Sequence, residues 1–202
     1  MIKLYHASKT RSVRVLWLLE ELGVRYELAL IPFTQDALKS AAFLRVNPCG
    51  SLPAIEDGEV AMFESGAIVE YVLERYGNGR LAPPLGSPVR ARYLQWLHFG
   101  EASLLPPLGD IAQHAMFRPE AERIPAMVVD GRRRAVAKLD VLERALAGSA
   151  YLCGEELTAA DVMVGYGVAI AALLGVVGDQ HPNLRAYLAR LETRPAFQKA
   201  FA

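Results

Sequence analysis

Residues 47–65, with the sequence NPCGSLPAIEDGEVAMFES, decide the fold of the first part of the chain. After two turn signals, the apolar run Leu52–Ile55 predicts a β-strand. Asp57-Gly58 predicts a two-residue hairpin turn, because both residue types accept a positive φ. A second apolar run, Val60–Phe63, leads into Glu64-Ser65, which we expect at the start of a helix. A helix N-terminus and free backbone polar groups are therefore expected close together.

Both ends of this stretch allow two chemical interpretations. Pro53 has no amide N–H to donate, so at a strand start it lies at an edge or a bend. The Leu52–Pro53 bond is then either trans, as in an ordinary strand, or cis, which turns the N–H and C=O of Leu52 outward toward an extended peptide ligand. Ser65 either caps the helix or offers its hydroxyl to a ligand carboxylate that the helix dipole also attracts. Glu64 beside it could hold an ammonium group, and the residues alone leave these alternatives open.

The same stretch carries a family motif. The pattern N-P-x-G-x-x-P over residues 47–53, followed by a hairpin and E-S-x-A-I over residues 64–68, resembles the glutathione-binding half of the cytosolic glutathione transferases. The resemblance implies a cis-proline at Pro53. It also implies main-chain pairing of Leu52 with the cysteinyl part of glutathione.

Four further residues belong to the expected glutathione site. The resemblance implies that Glu64 and Ser65 hold the γ-glutamyl end, and we place Ser51 in the same site. Lys39 could reach the glycyl carboxylate from the second helix, or be an ordinary surface lysine.

A glutathione-activating enzyme needs a donor near the sulfur, because a free thiol has a pKa of about 8.5 and the thiolate is the nucleophile. The family's serine-type motif, S-x-x-R-S-V, matches residues 8–13 and places the catalytic serine at Ser8. The position of the cysteine type falls nearer Thr10, and Ser12 is a third candidate that we expect to cap the helix. Lys9 stands where the family has a proline.

Other reactive side chains have structural interpretations. Tyr5 lies inside the first predicted strand and is expected in the core. His6 is either a general base or simply hydrogen-bonded, and Cys49 is expected to fill space beside a turn. The four histidines are scattered without metal-ligand spacing, so we expect no metal site.

The order of elements predicts two domains. Residues 1–77 alternate as β-α-β-α-β-β-α, with a weak second helix at 36–44, which is typical of an α/β thioredoxin-like domain. Residues 78–87 are rich in glycine and proline and predict a linker. Residues 88–202 show no strand pattern and predict an all-α helical bundle, which in the family contributes the electrophile pocket.

Within the second domain, one predicted helix spans residues 90–105 and ends near Pro106-Pro107. A long helix is expected over 127–146. Thr158 and Asp161 form a capping box before the apolar run 162–177, which at 16 residues we interpret as a buried core helix rather than a membrane span.

The composition limits the classes of partner. Of the 202 residues, 52% are hydrophobic, which favours a sizeable core, and the 22 basic side chains equal the 22 acidic ones. A net charge of zero argues against nucleic acid or an anionic membrane as a partner. Two separated cysteines and the lack of a signal-peptide pattern favour a reducing compartment, the cytoplasm.

We therefore expect a bacterial-type glutathione transferase of the serine or threonine kind, which activates glutathione for attack on small hydrophobic electrophiles. The resemblance further implies a homodimer. Three alternatives stay open: a glutathione-dependent isomerase, a glutathione-dependent disulfide reductase relying on Thr10, and a non-catalytic transferase-like binding protein.

Overall fold

The structure is a computed structural model that describes residues 1–202. The chain divides into two compact units, residues 1–81 with 193–202, and residues 82–192. Residues 193–202, which we expected in the helical domain, lie within the first unit. Each unit is described separately.

The first unit contains one four-stranded mixed sheet. Its strands are β1 (Ile2–His6), β2 (Tyr26–Leu30), β3 (Ala54–Asp57) and β4 (Val60–Phe63). Their spatial order is β2-β1-β3-β4, with β1 parallel to β2 and β3 antiparallel to both of its neighbours. The predicted hairpin is present, but its two turn residues are Gly58-Glu59 rather than Asp57-Gly58, because Asp57 pairs with Val60 as the last residue of β3. The first strand of the hairpin begins only after Pro53, which has no N–H to give to the ladder.

Ten α-helices complete the two units. In chain order they are α1 (Ser12–Leu22), α2 (Gln35–Leu38), α3 (Ala41–Leu44), α4 (Ser65–Tyr76), α5 (Pro88–Phe99), α6 (Leu105–Ala112), α7 (Pro125–Ala145), α8 (Ala159–Leu173), α9 (Pro182–Glu192) and α10 (Pro195–Phe201). Two π-helical segments, Gly100–Leu104 and Gln113–Phe117, and a short 3-10 turn, Glu120–Glu122, join the helices of the second unit. The predicted fold class, an α/β thioredoxin-like domain and an all-α domain, is confirmed.

The single helix predicted over residues 36–44 is wrong, because two short helices replace it. Thr34 caps α2 by accepting a hydrogen bond from the amide of Ala37, at 3.3 Å. Ser40 interrupts the run, and its Oγ accepts from the amide of Phe43 at 3.2 Å to start α3. Serine side chains compete with the helical backbone in this way and favour caps over helix interiors.

The C-terminal helix α10 packs against α1 within the first unit. The rings of Trp17 and Phe197 meet edge to face, with centroids 4.9 Å apart. Arg194 donates to Glu21 from its Nε at 2.6 Å and its Nη2 at 2.7 Å, and Glu21 also accepts from the indole N–H of Trp17 at 2.9 Å. Bidentate arginine–carboxylate pairs are both strong and directional, and this one fixes where the chain end lies.

The buried carboxylate of Asp57, the last residue of β3, joins α4 to the N-terminal amino group. Asp57 is almost fully buried and accepts hydrogen bonds from the hydroxyls of Tyr71, at 2.9 Å, and Tyr76. The amino group of Met1 and the Nε of Arg75 lie 3.6 and 3.4 Å from it. Burial opposes ionisation of Asp57, but these donors and charges outweigh it and hold its pKa below the usual value.

The second unit is built around α8, which is apolar on nearly every face and almost entirely buried. The segment at Gly100 crosses α8 so closely that a Cβ there would lie 2.9 Å from the carbonyl of Met163. Only glycine fits at such a crossing. No helix in the chain combines the length and the hydropathy needed to span a membrane.

The predicted end of a helix before Pro106-Pro107 is wrong. The chain continues as helix from α5 through the π-helical segment Gly100–Leu104 into α6, which contains both prolines. A proline lacks its N–H and its ring presses on the carbonyl four residues earlier. A π-helical turn directly before the prolines widens the backbone at those carbonyls. The helix persists because it keeps an apolar face buried, including Leu108 and Ile111.

The predicted capping box at the start of α8 is confirmed. The fully buried Asp161 accepts from the amide and hydroxyl of Thr158, at 2.8 and 2.9 Å. Its other oxygen accepts from the amide of Leu152 at 2.9 Å and from the hydroxyl of Tyr187 at 3.1 Å. The cap therefore also joins the preceding loop and α9 to α8.

We predict that Thr158→Ala lowers the free energy of unfolding by about 1 kcal/mol, the usual cost of losing an N-cap side chain. Asp161→Ala should cost at least about 3 kcal/mol, because it leaves several buried donors without an acceptor, at about 1–3 kcal/mol each. Urea titration followed by circular dichroism measures both. The exposed Glu156→Ala serves as the matched control, and an unchanged midpoint for Asp161→Ala would contradict the prediction.

We also predict a specific acid sensitivity at Asp57. Because its folded pKa lies below its unfolded value of about 3.9, the carboxylate stabilises the fold above about pH 4, and this contribution is lost as pH falls through the folded pKa. Asp57→Asn should lower the Tm at pH 7 and flatten the fall of Tm between about pH 5 and 2. Thermal melts across this pH range test it, with the exposed Glu59→Gln as control. A parallel pH profile for Asp57→Asn would refute the assignment.

Candidate functional site

Three chain segments meet at one edge of the sheet because of the strand register. Tyr5 on β1 lies opposite Ala54 on β3, and Ala54 lies opposite Phe63 on β4. Since β3 runs against both neighbours, its first residue lies beside the last residues of β1 and β4. The segments after β1, before β3 and after β4 are those that carry the predicted site residues.

An apolar cluster supports this edge from below. It consists of Ala7, Leu38, Phe43, Leu52 and Ala54. Ser8 follows the first of these residues in sequence, Lys39 follows the second, and Ser51 and Pro53 flank the fourth. Because their sequence neighbours pack in one cluster, four of the predicted site residues lie close to it: Ser8, Lys39, Ser51 and Pro53.

The Leu52–Pro53 peptide bond is cis, as the resemblance implied. The side chain of Leu52 is buried in the apolar cluster. Its backbone N–H and C=O take part in no backbone hydrogen bond of the chain. Both groups thus keep their full capacity for an extended ligand strand.

The loop before Pro53 is organised by a fully buried asparagine. The Nδ2 of Asn47 donates to the carbonyl of Ser51 at 2.6 Å, and its Oδ1 accepts from the amide of Cys49 at 2.9 Å. The ammonium group of Lys39 donates to the Cys49 carbonyl at 2.9 Å. Gly50 has φ +60°, and a Cβ there would lie 2.7 Å from the backbone carbonyl oxygen of Leu38 and 2.8 Å from the Nζ of Lys39. A glycine is thus required where Lys39 crosses the loop.

The start of α4 combines a polar side chain with a buried positive charge. The hydroxyl of Ser65 is buried and accepts a hydrogen bond from the guanidinium of the fully buried Arg14, at 3.0 Å. Glu64 has φ +74°, a left-handed conformation uncommon for glutamate, and its side chain is exposed. This arrangement places a cation, a hydroxyl and the first amide groups of α4 at one point, which suits a carboxylate.

Arg14 was missed by the sequence reasoning. Its signal was a single charged residue inside the apolar first helix, between Val13 and Val15. A cation on the buried face of a helix requires a hydrogen-bond acceptor or an anion as partner. That requirement alone would have marked Arg14 as a candidate for binding an anionic ligand group.

The loop between β1 and α1 holds the two candidate activating hydroxyls in different states. Ser8 is exposed, and its hydroxyl is not engaged with any other part of the chain. Thr10 is buried, and its hydroxyl donates to the carbonyl of Ala7 at 2.8 Å and lies 2.7 Å from the Oγ of Ser12. Only Ser8 keeps an uncommitted hydroxyl.

The tyrosine on β1 is removed from thiol chemistry. The hydroxyl of Tyr5 donates to Glu56 at 2.6 Å, and its ring packs against Phe43. Burial, followed by the hydrogen bond and the charge of Glu56, raises the pKa of Tyr5 to about 12. Tyr5 is half-buried and packs against the apolar cluster, rather than lying inside the core as predicted.

Family models match most of the chain. Residues 1–74 match the model described as the glutathione S-transferase N-terminal domain, and residues 109–190 match that of its C-terminal domain. The chain belongs to the glutathione S-transferase family. Glutathione S-transferase 3 of Zea mays is 32% identical over 210 residues, which cover 100% of this chain and 93% of that protein.

Solved structures of other family members share the whole fold. A glutathione transferase of Phanerochaete chrysosporium, in complex with oxidised glutathione, superposes with a TM-score of 0.89 and 28% identity over 99% of this chain and 94% of that chain. A theta-class glutathione S-transferase of Xanthomonas axonopodis pv. citri, with glutathione bound, gives a TM-score of 0.85 and 28% identity, over 99% of this chain and 96% of that chain.

This member of the family differs from its serine-type motif at Lys9, and the backbone gives the reason. Lys9 has φ +61°, in the left-handed region. Proline is held near φ −65° and cannot adopt this conformation. The backbone conformation at Lys9 therefore excludes a proline at this position.

We predict opposite effects of two substitutions at this position. Lys9→Gly should leave stability unchanged or raise it by up to about 1 kcal/mol, since glycine adopts φ +61° without penalty. Lys9→Pro should lower stability by about 2–3 kcal/mol, because the ring forces the loop to rearrange. Lys9→Ala is the control that keeps the same backbone restriction. Equal melting temperatures for the glycine and proline variants would contradict the left-handed turn.

Proposed function

We propose that this protein binds glutathione along the sheet edge described above and ionises its thiol for attack on a small hydrophobic electrophile. The observation that carries the proposal is the exposed hydroxyl of Ser8, which makes no hydrogen bond within the chain. Its neighbour Ala7 packs in the same apolar cluster as Leu52. The glutathione bound in solved relatives of the same fold supports the choice of thiol.

The γ-glutamyl end of glutathione has both charges matched. Its carboxylate would accept from Ser65 and the first amide groups of α4, while Arg14 beneath adds positive charge. Its ammonium group would pair with the exposed carboxylate of Glu64. Charge pairing at both groups makes this end the main source of affinity for the tripeptide.

The remaining part of the tripeptide would extend along the start of β3. The cysteinyl main chain would pair with the N–H and C=O of Leu52, as a short added strand preceding Pro53. Ser51 and Lys39 would hold the glycyl carboxylate, for which the ammonium group of Lys39 leaves the Cys49 carbonyl that it contacts at 2.9 Å. A surface lysine makes this exchange at little cost, because both partners are solvated.

Ser8 would activate the thiol by donating a hydrogen bond from its hydroxyl to the sulfur, while the thiol proton is released to solvent. A donor aimed at the thiolate favours the charged form and lowers the thiol pKa from about 8.5 toward neutral pH. The N-terminus of α1 nearby acts in the same direction. Thr10 is the weaker candidate, because its single proton is already given to the Ala7 carbonyl.

The reaction is then a nucleophilic substitution or addition. The thiolate forms the new C–S bond with its lone pair. In a substitution, the leaving group departs with the electron pair of the broken bond. In an addition to an activated double bond, the π-electron pair of that bond moves to its far atom, which then takes a proton from solvent.

We also propose that the active form is a homodimer in the cytoplasm. The dimer rests on the family resemblance, and sedimentation at micromolar concentration tests it. The cytoplasm is a glutathione-rich, reducing compartment, which fits two free cysteines. Equal numbers of basic and acidic residues, 22 each, give no reason to add nucleic acid or a membrane surface as a partner.

We predict that glutathione binding releases protons, because the thiol ionises on binding. Calorimetric titration in two buffers of different ionisation enthalpy measures the number released. Ser8→Ala should abolish most of the release at pH 7 while changing the Kd by less than about fivefold, since the γ-glutamyl contacts remain. Ser8→Thr keeps a hydroxyl and should retain the release. Ser65→Ala should weaken binding by about tenfold, the loss of one charge-assisted hydrogen bond.

Three outcomes count against the proposal in different ways. Binding without proton release in the native protein would point to a carrier of glutathione. No binding at millimolar glutathione would point to a non-catalytic binding protein of the same fold. Release that survives Ser8→Ala and disappears in Thr10→Val would transfer the activating role to Thr10 and revive the disulfide-reductase alternative.

A further inference from the structure

The interior of the loop between β1 and α1 contains a continuous line of polar contacts. The Nδ1 of His6 lies 2.8 Å from the Oγ of Ser12, which lies 2.7 Å from the Oγ1 of Thr10. The Oγ1 of Thr10 lies 2.8 Å from the carbonyl oxygen of Ala7. The three polar side chains are buried, with Ser12 fully so. Contacts this short between polar atoms are hydrogen bonds only if a proton lies in each of them.

Counting protons fixes the direction of this line. The Ala7 carbonyl has no proton, so Thr10 must donate to it. Thr10 has only one proton, so Ser12 must donate to Thr10. Ser12 has then no proton left, and the contact at 2.8 Å with His6 requires that the ring donate from Nδ1.

The weaker contacts agree with this direction. The amide of Ala7 donates to the Oγ of Ser12 at 3.3 Å, and the amide of Ser12 donates to the Oγ1 of Thr10 at 3.4 Å. Each hydroxyl oxygen then accepts two bonds and donates one, which is its full capacity. Were Ser12 instead to donate to the Ala7 carbonyl at 3.2 Å, one of the three short contacts would be left without a proton.

We infer that His6 is a positioning residue, held as the Nδ1–H tautomer, whose ring donates into a His6–Ser12–Thr10–Ala7 hydrogen-bond relay and so fixes the loop that presents Ser8. The consequence for activity rests on the proposed function, whereas the tautomer does not. The relay assigns different tasks to the three hydroxyls of the loop: two are structural and one is free for the ligand.

The electrostatic setting of the ring agrees with this role. Burial lowers the pKa of His6 below its usual value near 6.5, so the ring is neutral at pH 7. A neutral ring has one proton, and the relay claims it at Nδ1. His6 therefore acts through Ser12 and Thr10, and a general-base role at Nδ1 is closed to it.

The first test is the tautomer itself, measured without glutathione. Long-range ¹H–¹⁵N correlation of the histidine rings at pH 7 distinguishes a protonated Nδ1 from a protonated Nε2. We expect His6 to show a protonated Nδ1 and a bare Nε2. A protonated Nε2 with a bare Nδ1 would overturn the inference, whatever the protein does with glutathione.

The second test uses a pair of amide variants of His6. The side-chain amide of asparagine can place a donor near the position of Nδ1, and that of glutamine reaches the position of Nε2. His6→Asn should keep the proton release on glutathione binding and a kcat within about twofold of the native value. His6→Gln should raise the pKa of the bound thiol and lower kcat by about tenfold or more, as expected when a reacting group is displaced by a fraction of an ångström.

The outcomes separate the two proposals. If the native protein binds glutathione without proton release, the proposed function fails, and the ring tautomer still tests the relay. If native release is present and His6→Gln or His6→Leu keeps it in full, the positioning role is refuted. Equal losses in kcat for His6→Asn and His6→Gln, with equal losses in Tm, would mean that the ring only fills space, and would also refute it.

Discussion

The antiparallel position of β3 between β1 and β4 is the constraint on which the site depends. It places the first residue of β3 beside the ends of both neighbours, so that loops distant in sequence converge. A parallel β3 would send the Pro53 loop to the opposite edge of the sheet. The two-residue turn at Gly58-Glu59, with Gly58 at φ +65°, enforces the antiparallel arrangement of β3 and β4. A local turn signal therefore has a long-range consequence for chemistry.

The buried Arg14 contributes both to the packing of the fold and to the proposed glutathione site. Removing a guanidinium from water is costly unless hydrogen bonds replace its hydration. The contact with Ser65 at 3.0 Å supplies one of these bonds, and it links α1 to α4 across the sheet edge. The same positive charge lies where a ligand carboxylate is proposed to bind. Because the fold itself holds this charge in place, a preformed site is favoured over one assembled by the ligand.

Sequence reasoning succeeded where the signal is local. The hairpin and the capping box at Thr158 each follow from a few neighbouring residues. It failed where packing decides. Pro106 is helical because a π-helical turn and an apolar face accommodate it, and α10 lies on α1 because Trp17 and Glu21 hold it there. No window of sequence contains both partners of such contacts.

The candidate site divides along the same line. Motif and resemblance identified the segment around Leu52 and Ser65, but three hydroxyls within five residues of one loop cannot be ranked from sequence, since serine and threonine have the same donor and acceptor capacity. Their ranking depends on how many protons the surrounding acceptors already take. The hydroxyl proton of Thr10 is donated to the Ala7 carbonyl, and that of Ser12 is donated to Thr10. The exposed Ser8 keeps its hydroxyl proton available for a ligand. In this loop, the residue available for catalysis is therefore decided by what its neighbours need for folding.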